Sequence, residues 1–540
     1  MRLLSGGSIR VPETSADLTA MYDWLQRQHT LSIDTETTGL DIYSEAHRLR
    51  LVQFGTPSEA WIYPFETFGM DLRLVQSLAG TRFIMHNASY DIQVLARHWG
   101  VDPVRYWART KDTKILAHQV DPRGREEGGI GQSLDDLVRH YMPEYEKLGS
   151  DLKEEFLRLK TGGEIPKRTA MAEMWSTLPI DNEMYLLYAG TDAILTARLF
   201  RILSKLVDVS SQLTKDDHKT AMIASLMDAK GFLLDEDYTR ELWDKLHDEE
   251  IEHKTTAAEL GLDNINSPQQ VAEALRLRGF VPTHLTPKGN PKVDKNFLQA
   301  HAEDPLVLAI IEGKKAGKWR TTWIEKFLDG MGSDGRVHPS TNALRARTAR
   351  FSIQGIPAQT LPSGDSMVRS CFVADTGERI VGVDYKQQEP RFAAVKAPDR
   401  RMIQAFKNNE DLYVVVSEAA WPGQGLEMRK QGKGGFLTTL YGGGTRSMMD
   451  QWGMTAEQSQ QAQSGIRSVF PGLKMMGDRL SKEAEANGYI TTWTGRKLPV
   501  DPNRLYAAQN YYIQSGCRDI TAHAMMRLYD EGYLDHMRLV

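Results

Sequence analysis

The sequence predicts a multidomain protein, an α/β domain followed by mainly helical and then α+β regions. Three observations carry that reading. Strand-like and helix-like runs alternate over the first two hundred residues, the pattern turns mainly helical from about Asp216, and strand-like runs return near Arg336. With 540 residues, 41% hydrophobic and 25% charged, the chain has room for several cores.

In chain order, "LSIDTETTGL", "RLVQFGT" and "AWIYPF" read as strands, the first two rich in β-branched or apolar residues. "ASYDIQVLARHW", "SLDDLVRHYM" and "EMYLLYAGTDAILTARLFRILSKL" have helical periodicity, and "KTGGEIPKRTAMAEMWSTLP" reads as a long surface loop. "HKTAMIASLMDAKG", "DYTRELWDKLHDEEIEHKTTAAEL" and "SPQQVAEALRLRG" are helices, the last opening with Ser267 as N-cap and Pro268 at the first helical position. "RIVGVDY" is the strongest strand of the second half, "GYITTWTGRKLPV" reads as a hairpin, and the last helix contains "YYIQSGCRDITAHAMMRLYDEG". There is no internal repeat and no low-complexity tract.

Composition excludes several classes. The N-terminus "MRLLSGGSIRVPETSADL" has no long apolar run, so it is not a secretory signal, and no stretch is apolar and long enough to span a membrane. Two distant cysteines, Cys371 and Cys517, argue against a disulfide framework or zinc site and for a reducing interior. A net charge of -5 does not advertise a nucleic-acid partner, although "GKKAGKWRTTWIEKF", "RARTARF" and "MRKQGKGGF" are locally basic. Taken alone, those runs read as solvated surface.

Two constellations carry chemistry. In "SIDTETTGLD", Asp34 and Glu36 sit two apart on a strand, so both carboxylates share one face. Like charges held together are costly unless a cation neutralises them. "MHNASYDIQVL" offers Asn87 and Asp91 one helical turn apart, and "LLYAGTDAIL" offers Tyr188 and Asp192, also i,i+4. Singly, each pair reads as well as a core tyrosine or a surface charge. In the second half, Asp384 ends the apolar run "RIVGVDY", and "RKQGKGGFLTTLYGGG" places Arg429, Lys433, Leu440 and Tyr441 on one helix face. Two cations beside an aromatic suit a triphosphate and a base, but a solvated basic helix with a buried tyrosine has the same pattern.

Together and in order, the first three stretches resemble the DEDD superfamily of exonucleases, in the subtype with a tyrosine in its third motif. The likeness extends to "RLVQFGT" and "QSLDDLV". It implies an RNase H-like fold, with Asp34, Glu36, Asp91 and Asp192 as catalytic metal-binding carboxylates and Tyr188 orienting water. Oxygen-only ligands suit Mg²⁺ or Mn²⁺, two ions per active site roughly 4 Å apart, for release of nucleotides from a single-stranded 3′ end.

The second half resembles family A DNA polymerases. "DYKQQEPR" is similar to that family's motif A, DYSQIELR, and "RKQGKGGFLTTLYG" to its motif B. The resemblance implies that Asp384 is a catalytic metal-binding aspartate, that Arg391 matches the motif's closing arginine and that Glu389, Tyr385, Arg429, Lys433 and Tyr441 serve the incoming nucleotide. Leu437 stands where the family carries an aromatic residue. "GRVHPSTNALRARTARFSIQGIPAQTLP" and "AAQNYYIQSGCRDI" resemble further family segments. They imply DNA contacts from Arg350, Gln359, Asn510 and Gln514, with Gln514 reading the minor groove, and they place Asp519. Ala349 replaces a family glycine.

The resemblance implies an exonuclease domain at 1-208 and a right-hand polymerase at 209-540. The latter divides into 209-335 as thumb, 336-400 as palm with motif A, 401-505 as fingers and 506-540 as palm return. No V-H-D-E run follows Gln514, so the expected palm is incomplete at its C-terminal end and "HMRLV" reads as the strand leading to it. The expected activity is template-directed DNA synthesis with 3′–5′ proofreading in replication, in the cytoplasm of a bacterial or phage-infected cell. The expected partners are primer-template DNA, deoxynucleoside triphosphates and a replisome accessory protein. Two alternatives stand beside this: a chain working mainly as an exonuclease or DNA-binding protein with impaired polymerisation, and a non-catalytic scaffold, against which the four carboxylates argue.

Overall fold

The computed structural model describes residues 7–145, 174–282, 289, 291–362, 364, 366–535 and 539. The first half is built on six strands: β1 (Ser8–Arg10), β2 (Thr30–Thr37), β3 (Leu49–Gly55), β4 (Glu59–Pro64), β5 (Arg82–Met85) and β6 (Thr110–Asp112). Their order is β1-β4-β3-β2-β5-β6. β2, β3 and β4 form an antiparallel meander, while β5 and β6 extend it in parallel and β1 runs parallel to β4. The central β3 is buried along its whole length, as its apolar run predicts.

Helices α1 (Ser15–Gln26), α2 (Ala88–Trp99), α3 (Thr113–Val120) and α4 (Glu183–Leu206) cover this sheet. Asn182 caps α4 by accepting the Tyr185 N–H. Gly55 lets α4 lie against β3, since a Cβ there would fall 2.8 Å from the Ala193 backbone. The Ser32 hydroxyl donates to the Ala193 carbonyl at 2.6 Å and fixes the same approach. Of the predicted surface loop, residues 160–173 lie outside the described residues; 174–177 are helical, and Met174 and Leu178 are buried.

The second half opens with α5 (Gln212–Lys230), α6 (Glu236–Glu259), α7 (Pro268–Leu277) and α8 (Pro305–Trp319). Ser267 caps α7 and Pro268 occupies its first turn, as the sequence predicts. β7 (Phe232–Leu234), β8 (Arg336–Val337) and β11 (Phe372–Val373) make a small antiparallel sheet in the order β11-β7-β8. β9 (Ser340–Asn342) and β10 (Ser352–Gln354) form an antiparallel ribbon. Then come α9 (Gln388–Lys396), α10 (Leu412–Ala420), α11 (Arg429–Leu440), α12 (Ala456–Val469), α13 (Pro471–Asn487), the predicted hairpin of β12 (Tyr489–Thr491) and β13 (Lys497–Pro499), and α14 (Ala507–Asp530).

One hydrophobic core runs through both halves. Ala221–Ala224 of α5 and Ala343, Leu344 and Ala349 pack in the same cluster as Ile33, Phe83 and Trp99. A second core joins Phe392 of α9 and Phe436 of α11 to Ile513 of α14.

The strand predicted for "RIVGVDY" does not form. Residues 379–385 belong to no strand or helix, and Ile380, Val381 and Val383 are 56%, 78% and 91% exposed. Strand propensity is largely a matter of cross-strand packing, and no described strand lies alongside to supply it. Gly382 in the middle weakens the segment further. No helix among the described residues is long and apolar enough to cross a membrane. The expected lead-in strand "HMRLV" falls mostly on 536–538 and 540, outside the described residues; Leu539 packs against the shared core.

Candidate active sites

The first site forms where β2, the N-terminal turn of α2 and the first half of α4 meet. Period-two alternation puts Asp34 and Glu36 on one face of β2, beside a register shift between Glu36 and Thr37. Asp91 lies in the first turn of α2, where the helix dipole favours a carboxylate. Thr35 donates both its N–H and its hydroxyl to Asp91 Oδ1, at 3.1 and 2.7 Å. Tyr188 and Asp192, one turn apart on α4, are hydrogen-bonded to each other.

The carboxylates act on one another. Burial, then the charges of Asp34, Asp192 and Asp91, hold Glu36 well above the usual carboxylate range. Burial also raises Asp91 and Asp192, each with a further contribution from Asp34, and pushes Asp34 up to about 7. Asp192 and burial raise the Tyr188 hydroxyl. All five residues predicted for this site therefore come together. A set of half-buried oxygen ligands that resist common ionisation is what a divalent cation neutralises. Among the described residues, no group of three or more His, Cys, Asp or Glu is arranged to hold an ion as it stands. Asp91 and Asp192 instead satisfy Thr35 and Tyr188.

Two supports escaped sequence reasoning. Thr35, between the two strand carboxylates, fixes Asp91. Arg50, 4% exposed at the start of β3, donates to the Trp175 and Leu178 carbonyls, and its charge acts to lower Glu36. A charge opening an otherwise apolar strand was the available signal.

In the second half, Asp384 is exposed at the end of the unpaired 379–385 segment, not on a buried strand end. It borders a hollow of about 600 Å³ with Tyr385, Arg391, Phe392 and Trp493. Gln387 adopts φ 53°, turning the chain into α9. Two residues on, Glu389 accepts a hydrogen bond from the Tyr441 hydroxyl, which joins the two predicted stretches. Burial, then Glu389, raises the Tyr441 hydroxyl above its usual range. Gly442 takes φ +77°, and a Cβ there would lie 2.2 Å from the Tyr506 carbonyl, so the turn after Tyr441 requires glycine.

Arg429 and Lys433 share one exposed face of α11 and flank Tyr413, at 5.5 and 5.9 Å from its ring. Arg429 also pairs with Asp411 at 2.7 Å, and Leu437 packs partly buried beside the core. Arg391 lies 4.6 Å over Phe406 and donates to the Lys386 carbonyl. Arg350, exposed, acts electrostatically on Tyr441, so it belongs with this group. Before it, Ala349 holds φ 60°, the left-handed conformation that a glycine would adopt without strain. Asn510 and Gln514 lie i,i+4 on α14, and Gln514 Oε1 accepts from Thr348 at 3.4 Å. Gln359 is engaged by its own segment, donating to the Phe351 carbonyl and accepting the Ile353 N–H. The structure thus gathers Glu389, Tyr441 and Arg350 and leaves Gln359 facing its own ribbon.

Residues 9–208 match the family described as 3′-5′ exonuclease, and 236–539 that described as DNA polymerase family A. The DNA polymerase of Mycobacterium phage L5 is 41% identical over 539 residues, covering 98% of this chain and 89% of that protein. The chain belongs to the family A DNA polymerases. The DNA polymerase of Mycobacterium phage D29 is 40% identical with the same coverage. The POL domain of Pol1 from M. smegmatis, solved in complex with DNA primer-template and dNTP, superposes with TM-score 0.70 at 20% identity, covering 97% of this chain and 90% of that one. The chain is a DNA-directed DNA polymerase with a 3′–5′ exonuclease domain. The alternative of a chain acting mainly as an exonuclease or DNA-binding protein is not favoured, because the phage polymerase match runs through both halves. Domains of these two kinds generally depend on divalent metal.

Proposed function

We propose that Asp34, Glu36, Asp91 and Asp192 hold two Mg²⁺ or Mn²⁺ ions and that this site trims the 3′ end of a DNA strand. The observation that carries the reading is that four carboxylates from three elements meet where burial holds each above its ordinary range, with Asp34 raising the other three further. Two divalent ions held by these four carboxylates would supply activation of a water and neutralise charge on the leaving 3′ oxygen. Tyr188 orients that water with its hydroxyl, Thr35 aims Asp91, and Arg50 sets the charge behind Glu36.

In the polymerase half, Asp384 serves as a metal-binding carboxylate. Arg429 and Lys433 take the triphosphate, while Tyr385, Glu389 and Tyr441 shape the nucleotide pocket. Arg350, Gln359, Asn510 and Gln514 hold the primer-template, with Gln514 checking base-pair geometry through minor-groove acceptors that look alike for A·T and G·C. The neighbour solved with primer-template and dNTP supports this assignment. The domains divide at 208/209, with thumb, palm and fingers following at 209-335, 336-400 and 401-505 and a palm return from 506. The enzyme acts in replication inside a phage-infected cell, as its phage relatives support, with an accessory replisome protein as a further partner.

The test is Asp34→Ala in the full chain. Loss of nucleotide release from a labelled single-stranded 3′ end, with primer extension retained, is the expected result. Undiminished trimming would remove Asp34 and the proposed site from the reaction.

A further inference from the structure

A cleft of about 590 Å³ separates the exonuclease domain from the base of the polymerase half. One wall is the end of α2 with Asn87 and Tyr90, one turn or less from Asp91. The other is the β9–β10 ribbon and the turn beyond β9 that carries Arg345. Arg350 lies just before β10 and Gln359 just after it, and the proposed function assigns DNA contacts to both. One wall of the cleft therefore adjoins the helical turn that carries Asp91, and the other adjoins the DNA-holding segment of the polymerase, while the four carboxylates themselves do not line it.

Three cations line these walls, Lys114, Lys326 and Arg345. Lys114, on the exonuclease side, donates to Asn87 Oδ1 at 2.9 Å. The adjacent Asp112 is already occupied, accepting the backbone N–H groups of Asn87, Ala88 and Lys114 at 3.0, 2.9 and 2.8 Å. Arg345 lines the same cleft as Lys114, and its charge acts on that ammonium less strongly than that of Asp112. Arg345 is exposed and has no hydrogen bond or ion pair among the described residues. Asp41 and Asp329 border the cleft as well, and Asp228 is held by the Thr341 N–H. The Lys114 and Arg345 cations, from different halves, repel each other across the cleft, and Asp112 offsets part of the charge on the Lys114 side. A phosphate reverses the sign of that interaction, and single-stranded DNA brings a phosphate at every nucleotide.

We propose that Arg345, from the polymerase half, contacts a backbone phosphate of the single strand entering the exonuclease site, opposite Lys114. This rests on the exonuclease reading above. It assigns the polymerase half a part in positioning the exonuclease substrate. Arg345 touches no reacting atom, so its effect falls on binding and not on the chemical step.

The experiment uses the full chain with Arg345→Ala and Arg345→Lys, trimming a single-stranded oligonucleotide in Mg²⁺. For Arg345→Ala the expected result is a KM raised roughly two- to fivefold, the range an exposed ion pair supplies, with kcat unchanged. The plot of log(kcat/KM) against log[salt] becomes shallower by about 0.7, the loss of one phosphate contact on a single strand. Arg345→Lys restores most of both. In an Asp34→Ala background, anisotropy of a labelled oligonucleotide shows the same weakening without cleavage, which separates failure of this contact from failure of the exonuclease reading. An unchanged KM and salt slope would overturn the proposal, as would an equal loss in primer extension, which would assign Arg345 to the polymerase site.

Discussion

Asp217→Asn is expected to destabilise the protein more than any other single isosteric change to its described side chains. Asp217 on α5 is fully buried, receiving Arg496 through two bonds of 3.0 and 2.8 Å, Arg518 at 3.1 Å and Gln119 of the exonuclease domain at 2.8 Å. Asp519 completes the cluster, 3.1 Å from Arg518 and 3.6 Å from Arg496. Two arginines and two aspartates balance, so the buried charge sums to zero. Asparagine keeps the volume, opens no cavity and leaves one guanidinium uncompensated, which costs about 3–5 kcal/mol. With a urea m-value of about 3 kcal/mol/M or less, the unfolding midpoint falls by roughly 1 M or more. The chain has several domains, so the midpoint of each transition is compared rather than one global free energy. Arg518→Met added to Asp217→Asn removes the surplus charge and recovers part of the loss. The sign with pH is fixed: Asp217 is held below the usual carboxylate range, chiefly by the two arginines working against burial. Its stabilisation is present above the unfolded aspartate value, about 3.9, and is lost as pH falls through the folded value. A loss below about 1 kcal/mol, or no recovery in the double variant, would refute the charge-balance reasoning.

Three further outcomes follow from the geometry. Divalent-ion binding to the exonuclease carboxylates should strengthen from pH 6 to pH 8 with release of protons, read by calorimetry in buffers of different ionisation enthalpy. The raised groups, Asp34 at about 7, must deprotonate to ligate, and pH-independent binding would contradict this. The same sign makes the metal-free protein lose stability as pH rises through that range, with Mg²⁺ restoring it. Gly442→Ala should cost roughly 1–2 kcal/mol or more in thermal unfolding, from the left-handed backbone together with the 2.2 Å approach to Tyr506. A neutral result would mean that this turn rearranges freely. Gln514→Ala should lower kcat/KM for matched primer extension about tenfold, the worth of one minor-groove hydrogen bond, while sparing single-strand trimming. Equal effects on both activities would place Gln514 outside primer reading.

The parts proposed for the exonuclease site could be placed from sequence, by resemblance to a known family, because each part is local. A DxE on a strand, an aspartate in the first helical turn and a Tyr-x-x-x-Asp on one helix face each fix a direction through backbone periodicity, and the sheet order then brings them together. What sequence could not show is what holds them there. Thr35 meets Asp91 across 56 positions and Arg50 reaches Leu178 across 128, contacts that no short spacing encodes. The polymerase half shows the opposite failure. "RIVGVDY" has the composition of a strand, but a strand is a relation between two segments, and residues 379–385 have no pairing partner among the described residues. Asp384 therefore sits at an exposed position where the sequence predicted a buried strand end.

The Asp217 cluster also links the two proposed activities. Asn510, Gln514 and Arg518 follow one another at i,i+4 along α14, so the stripe that meets DNA in the proposed reading passes within one turn into the buried lock. On the far side of that lock, α5 runs straight out of the exonuclease domain, whose Gln119 binds Asp217 and also accepts from Thr214. Rotating the exonuclease domain against the polymerase would break these bonds or move α14 with it. Burying an arginine pair is a weak source of net stability, but it is intolerant of altered geometry. The orientation of the primer-reading helix and that of the exonuclease domain are thereby made a single variable. A change at Asp217 that leaves the chain folded should disturb matched extension and trimming together, whereas changes at Gln514 or Arg345 disturb one alone.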